Sequence, residues 1–275
     1  MSNAAGSGPP LRWQVPFVDG PLPELPPPVS DIPSVFAFSL AKAGSTLLFN
    51  LLRGLAPAAG SVFFSLDDLM FKQGQPLPTA WPGAARLFHP RGYCYGGYRG
   101  LPRHVIPPLN DSRVLLLVRD PRDMIVSQYY SFRESHTVPA GAGPDHPMAM
   151  ARAATAQQTL AQFATSSAQR YARRFEAYLA LGFPWRPNVA VHRYEDVIFR
   201  KAAWVDDICD WYQWRIPAET RQRIVARFDI VPDTADPARH IRQVHPGNHR
   251  TEMDAKTIRQ VENILDEAMA AFGYR

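Results

Sequence analysis

The strongest regularity in the chain is VLLLV at 114–118, five apolar positions with no polar face. A strand of that kind is covered on both sides, as in the middle of a parallel sheet. Four further runs, VFAFS (35–39), VFF (62–64), YCYGGY (93–98) and VAVHR (189–193), read as its companions. Between them the period changes. Leu48, Leu51, Leu52 and Leu55 recur at helical spacing, and helical patterns fill 151–181, 200–214, 218–228 and 254–272. Pro121 suits the first turn of another helix. Strands alternating with helices predict an α/β fold, a single doubly wound domain whose central, mainly parallel sheet is flanked by helices.

Residues 1–33 hold nine of the 27 prolines. Proline cannot donate to a regular backbone ladder, so this segment reads as an extended arm ahead of a domain at 34–275. Residues 72–92 and 136–150, rich in Pro, Gly and His, read as long loops of the kind that shape a substrate site. No internal repeat is visible.

Composition narrows the class. At 275 residues and 46% hydrophobic content the chain can bury one sizeable core. No apolar stretch is long enough to span a membrane, and the start MSNAAGSGPP has neither the basic nor the apolar part of a signal peptide. The two cysteines, Cys94 and Cys209, lack metal-ligand spacing. A cytoplasmic, reduced protein without metal is the expectation. The net charge of +5 suits either a soluble surface or an anionic partner.

Chemistry enters at the turn after the first strand, SLAKAGST (Ser39 to Thr46). A strand–turn–helix presents free backbone N–H groups and the positive end of the helix dipole to an anion. Gly44 permits close approach, Ser45 and Thr46 add hydroxyls, and Lys42 adds a mobile charge. The plainer alternative is an ordinary βα turn with a capping Ser. Lys42 precedes Gly44 rather than following it, so the turn is not a Walker A motif. The strand VLLLV likewise ends in RDPRDMIVS, where Arg119 and Ser127 can converge on one phosphate. Here the alternative is Arg119 paired with Asp120 or Asp123.

The two segments together resemble the PAPS-dependent sulfotransferases, whose donor is 3′-phosphoadenosine 5′-phosphosulfate (PAPS). Lys42, a small residue, Gly44, Ser45 and Thr46 are similar to that family's 5′-phosphosulfate loop. LLLVRDPRDMIVSQYYSF is similar to its 3′-phosphate motif, with Ser eight positions after Arg. The motifs stand in the family's order, about 75 residues apart. The resemblance implies a P-loop-like fold, with Lys42, Ala43, Gly44, Ser45, Thr46 and Leu47 around the 5′-phosphosulfate and Arg119 and Ser127 on the 3′-phosphate. VHRYEDVIFRKAAWVDDICDWY resembles the strand–Tyr–Glu–Asp segment that puts Tyr194 near adenine; a core aromatic is the alternative. HIRQVHPGNHRTEM resembles the late basic loop, with Arg242 and Gln243 at the 3′-phosphate. Leu47 replaces an adenine-stacking aromatic, which leaves Phe228 as a candidate.

The resemblance also implies in-line transfer of a sulfuryl group to a hydroxyl or amine, with Lys42 neutralising the leaving phosphate. The catalytic His of cytosolic members aligns with Gly100 in YRGLP (98–102), so the base must differ. Glycosaminoglycan sulfotransferases use a Glu after the first helix. Asp68, 26 residues beyond Lys42, and its neighbour Asp67 stand in about that place, unless they only cap a turn. His89 and His104 are further candidates. Tyr93, Tyr95, Tyr98, Trp81 and Phe88 are available to stack an acceptor. A small molecule, glycan or lipid is expected as that acceptor, and nucleic acid is not. The rival readings are a nucleotide-dependent kinase or NTPase, and a non-enzymatic binder of anionic polymers.

Overall fold

The computed structural model describes residues 23–72, 83–102, 106–135, 147–228 and 244–275. Five strands form one sheet: β1 (Val35–Ser39), β2 (Val62–Phe64), β3 (Tyr93–Tyr98), β4 (Arg113–Val118) and β5 (Val189–Arg193). Their order is β2-β3-β1-β4-β5 and every pairing is parallel. The doubly wound α/β architecture expected from the apolar runs is the one observed.

Side-chain alternation sorts the sheet into two cores. Phe36, Phe38, Val114, Leu116 and Val118 face one cluster, while Val35, Ala37, Leu115 and Leu117 face the other. Both faces must therefore be covered. After β1, α1 (Ser45–Ala58) covers the second face through Leu48, Leu51, Leu52 and Leu55. Then come α2 (Leu66–Lys72) and, after β4, α3 (Pro121–Tyr130), which covers the first face through Met124, Ile125 and Val126. Strands β1 and β4 are neighbours, yet their helices leave toward opposite faces. That divergence opens a crevice at the carboxyl ends of the strands, where ligands of such sheets bind.

The remaining helices are α4 (Pro147–Ala156), α5 (Leu160–Ala180), α6 (Tyr194–Val197), α7 (Lys201–Tyr212), α8 (Ala218–Ala226), α9 (His249–Glu252), α10 (Ala255–Ile264) and α11 (Asp266–Ala271). The pattern at 151–181 is thus two helices, not one. Thr159 caps α5 in a reciprocal pair with Gln162, and the chain breaks before it. The loop expected at 136–150 ends early, since Pro147 already begins α4. Residues 73–82 of the other expected loop lie outside the described residues, and Ala84–Leu87 form a 3-10 turn. Of the Pro-rich arm, 23–33 lie along the amino end of β3. Gly92 N–H donates to Ile32 O at 2.8 Å and the Tyr93 hydroxyl to Pro26 O at 2.9 Å. Among the described residues no helix is long and apolar enough to cross a membrane.

Candidate active site

The turn between β1 and α1 carries two left-handed residues, Lys42 (φ 71°) and Gly44 (φ 89°). Glycine adopts that conformation freely, whereas lysine is strained in it, a cost met mostly at functional positions. Neighbouring elements hold the strained peptide: the Tyr171 hydroxyl donates to Ala41 O at 3.1 Å, and Arg119 Nη1 to Lys42 O at 3.4 Å. No side chain caps α1, which leaves its first N–H groups free for an anion. Ala43 and Ser45 are buried, Thr46 is exposed, and Leu47 packs on Tyr194, Ile198 and Val244. Burial, then Arg119 and Arg99, lower the Lys42 ammonium to about 8. A cation already crowded by cations in a buried turn suits a phosphate or sulfate.

The second turn follows β4. Arg119 is only 4% exposed, and its guanidinium lies 4.5 Å from the Tyr194 ring centroid. Its Nη2 stands 3.8 Å from Asp123 Oδ2, a distance too long for a hydrogen bond. Nε and Nη2 are both buried without a hydrogen-bond partner. Orphan donors of this kind are costly, and a phosphate would satisfy them. The pairing of Arg119 with Asp123 and the anion-binding reading are therefore compatible. Ser127, half-buried, lies one helical turn beyond Asp123 on the same face of α3.

Asp123 itself has no solvent exposure. It accepts from Gly247 N–H at 2.6 Å and His249 N–H at 3.0 Å, and its Oδ1 is 2.7 Å from His249 Nδ1. Burial opposes its charge, but His249, Arg119 and the two backbone donors outweigh burial and hold the carboxyl below its usual range. The Tyr194 hydroxyl donates to Val244 O at 2.9 Å, so the chain at 244–249 is pinned against both Tyr194 and α3. Arg242 and Gln243 lie outside the described residues, as does His104. Phe228, two residues past the end of α8, lines an open groove of about 200 Å³ with Asn50, Arg53 and Arg227.

Asp67 and Asp68, adjacent in the first turn of α2, occupy different environments. Asp68 is ion-paired to Arg53, with Arg99 Nη1 at 3.9 Å. Asp67 turns inward. Burial raises its carboxyl to about 7, against the pull of the Arg99 N–H and guanidinium, and the Asp68 charge adds to the rise. Its charge reaches the phenols of Tyr98 and Tyr178. The Tyr98 hydroxyl is buried without a partner, and the Tyr178 hydroxyl donates to Ser39 O at 3.2 Å. Asp67 thus belongs to the carboxyl end of β1 and β3. Arg99, which sequence reasoning passed over inside YRGLP, acts on both Asp67 and Lys42. A Cβ built on Gly100 meets no atom within 4 Å, so that position is open space.

His89 does not join the site. Its ring is exposed and stacks at 5.4 Å on Tyr93, the first residue of β3, at the far end of the strand from Tyr98. Parallel strands put phosphate turns at their carboxyl ends, and His89 is at the amino end. Tyr93, Tyr95 and Phe88 are likewise packed into one aromatic stack, with centroid separations of 5.5 and 5.1 Å around Tyr95.

Solved structures share this fold at low identity. A mouse sulfotransferase, SULT7A1, complexed with PAP, superposes with TM-score 0.56 at 15% identity, covering 86% of this chain and 84% of that one. A retinol dehydratase in complex with retinol and PAP gives 0.51 at 17%, covering 88% and 82%. No curated protein sequence matches the chain significantly. The sulfotransferase domain profile matches residues 99–273, from Arg99 through the Arg119 turn, Tyr194 and the Asp123-bound segment. The chain belongs to the sulfotransferase family.

Proposed function

We propose that the protein transfers the sulfuryl group of PAPS to a hydroxyl or amine of an acceptor, without a metal. The observation that carries this reading is the pair of turns on adjacent strands. Arg119 has two buried donors without partners while its third nitrogen reaches the peptide of Lys42. These residues fit a ligand with two phosphate-like groups. The α1 turn would hold the 5′-phosphosulfate, and Arg119 with Ser127 the 3′-phosphate. Tyr194 orients Arg119, and Phe228 offers a ring for adenine.

In the transfer the acceptor oxygen forms its bond to sulfur as the bond from sulfur to the 5′-phosphate oxygen breaks. The electron pair stays on that leaving oxygen, where Lys42 neutralises it. The acceptor proton goes to Asp67 rather than Asp68. A half-buried carboxyl raised to about 7 by desolvation can accept a proton at neutral pH, whereas the Asp68 carboxylate is held by Arg53. Transfer of sulfur-35 from labelled PAPS to a panel of phenols, alcohols, glycans and lipids tests the reaction. Thermal stabilisation by adenosine 3′,5′-bisphosphate, greater than by 5′-AMP or by ATP with Mg²⁺, tests the donor. The opposite ranking would overturn the reading in favour of an NTPase.

A further inference from the structure

Arginines on α5 run beside the phosphate turn. Tyr171 is tied to Ala41 O, and the Arg174 guanidinium lies 5.8 Å from the Tyr171 ring centroid. One turn earlier Arg170 lies 5.6 Å from the Phe163 ring. Phe163 is 5.5 Å from Tyr129, and Arg133 covers Tyr129 at 5.3 Å while donating to its hydroxyl at 2.7 Å. The result is a connected surface of guanidinium groups laid over aromatic faces, leading to the Lys42 turn.

Arg133, Arg170 and Arg174 are exposed, and among the described residues none of them meets a carboxylate. Elsewhere on the surface arginines commonly do, as in Arg193 with Asp196 and Arg200 with Asp207. Arg170, Arg173 and Arg174 share one helix face, where like charges repel. Burial, then the neighbouring Arg174 and Arg173, lower the Arg170 guanidinium, although Tyr171 pulls the other way. Burial raises the Tyr171 phenol to about 12, while Arg174, Arg170 and Arg119 oppose the rise. All three cations therefore lie within electrostatic reach of the Tyr171 phenol. A guanidinium stacked on a ring is oriented; Arg170 Nη2 donates to Ser167 Oγ, and its remaining N–H groups, with those of Arg174, can hold an oxyanion.

We infer that the acceptor is anionic: a hydroxyl-bearing molecule whose carboxylate or sulfate groups are held by Arg170 and Arg174 while its hydroxyl faces Lys42. The inference rests on the sulfotransfer reading and adds the acceptor class. A small hydroxy acid and an acidic glycan share the required chemistry. Arg170 and Arg174, about 6 Å apart along the helix, suit anionic groups at that spacing.

The test compares matched probes on wild type, Arg170→Gln and Arg174→Gln. The small pair is 4-hydroxyphenylacetate against 4-methylphenol, and the polymer pair is chondroitin against dextran. Dissociation constants, with and without PAP, and kcat/KM with PAPS are measured. The acidic member of at least one pair should be preferred tenfold or more, and which pair does so identifies the source. Each substitution should weaken the acidic probe about tenfold, leaving the neutral probe and PAP within about twofold. Equal treatment of acidic and neutral probes by wild type overturns the inference, as does a parallel loss of both in the variants. A matching loss of PAP affinity would also overturn it, assigning the arginines to the donor. Binding alone decides the matter if no probe is sulfated. Failure of wild type to bind PAP would instead strike the sulfotransfer reading, with the acid preference still measured without PAP.

Discussion

Gly44 and Tyr194 approach so closely that a Cβ on Gly44 would stand 2.7 Å from the Tyr194 ring. The β1–α1 turn is thus packed against the same ring that lies under Arg119, 4.5 Å from its guanidinium. The two turns proposed to hold the donor are joined through one aromatic side chain, so displacement of the first should be felt at the second.

Gly44→Ala should therefore damage both turns. A non-glycine residue at φ 89° costs about 1–2 kcal/mol before any clash, and the ring must also move. Calorimetry should show a drop of at least a few degrees in Tm. Affinity for adenosine 3′,5′-bisphosphate should fall tenfold or more. A variant with wild-type Tm and affinity would mean that the turn and ring relax freely.

Arg119→Ala should erase discrimination for the 3′-phosphate. The wild-type ratio of affinities for adenosine 3′,5′-bisphosphate and 5′-AMP should shrink by about 2–4 kcal/mol, the worth of a charged, fork-shaped contact. Titration calorimetry with the two nucleotides reads it directly. An unchanged ratio moves the 3′-phosphate site elsewhere.

Lys42→Ala should lower kcat more than it weakens bisphosphate binding, because the charge on the leaving oxygen is greatest in the transition state. A rise in KM for PAPS with kcat unchanged would make Lys42 a binding residue only.

Asp123→Asn should unfold more easily, by about 3–5 kcal/mol, since removing one member of a buried charged cluster leaves Arg119 without its compensating charge. The carboxyl is held below its usual range by His249 and Arg119. Its contribution is then fully present above about pH 4, the unfolded value, and is lost as pH falls below that. Urea unfolding at several pH values should show that acid loss in wild type and a flatter profile in the variant. Equal profiles would remove Asp123 from the account of stability.

The five strands were legible because each is a short apolar run bounded by turn residues, and the two cores follow from simple alternation, as in Phe36 against Ala37. The break before α5 was harder. Gln157, Gln158 and Thr159 include neither Gly nor Pro, and only the Thr159–Gln162 box marks the boundary. Lys42, Gly44 and Arg119 stood out because backbone geometry at strand ends is written locally. Arg99 did not, since its importance depends on β3 lying beside β1, a contact across more than fifty residues of chain. Asp67 and Asp68 could not be ranked for the same reason. Successive helical residues point about 100° apart, and only the fold decides which faces Tyr98 and which faces Arg53.

That difference gives the sharpest test. Asp67→Asn keeps the shape and removes the basicity, so kcat should fall about 10²–10⁴-fold with nucleotide affinity intact. Asp68→Asn loses an ion pair at the rim and should stay within about tenfold of wild type. In wild type, kcat/KM for PAPS should rise as Asp67 deprotonates near 7 and decline as Lys42 loses its proton near 8, a narrow bell. The rising limb should vanish in Asp67→Asn. Stability supplies an independent reading. A carboxyl raised by burial binds its proton more tightly when folded, so wild type should lose stability as pH climbs from about 4 to about 7, and Asp67→Asn should not. If the stability slope disappears in the variant while activity and its rising limb survive, Asp67 is buried as described but is not the base. If Asp68→Asn alone abolishes turnover, the base is the carboxylate that Arg53 holds, and that ion pair must open during the reaction.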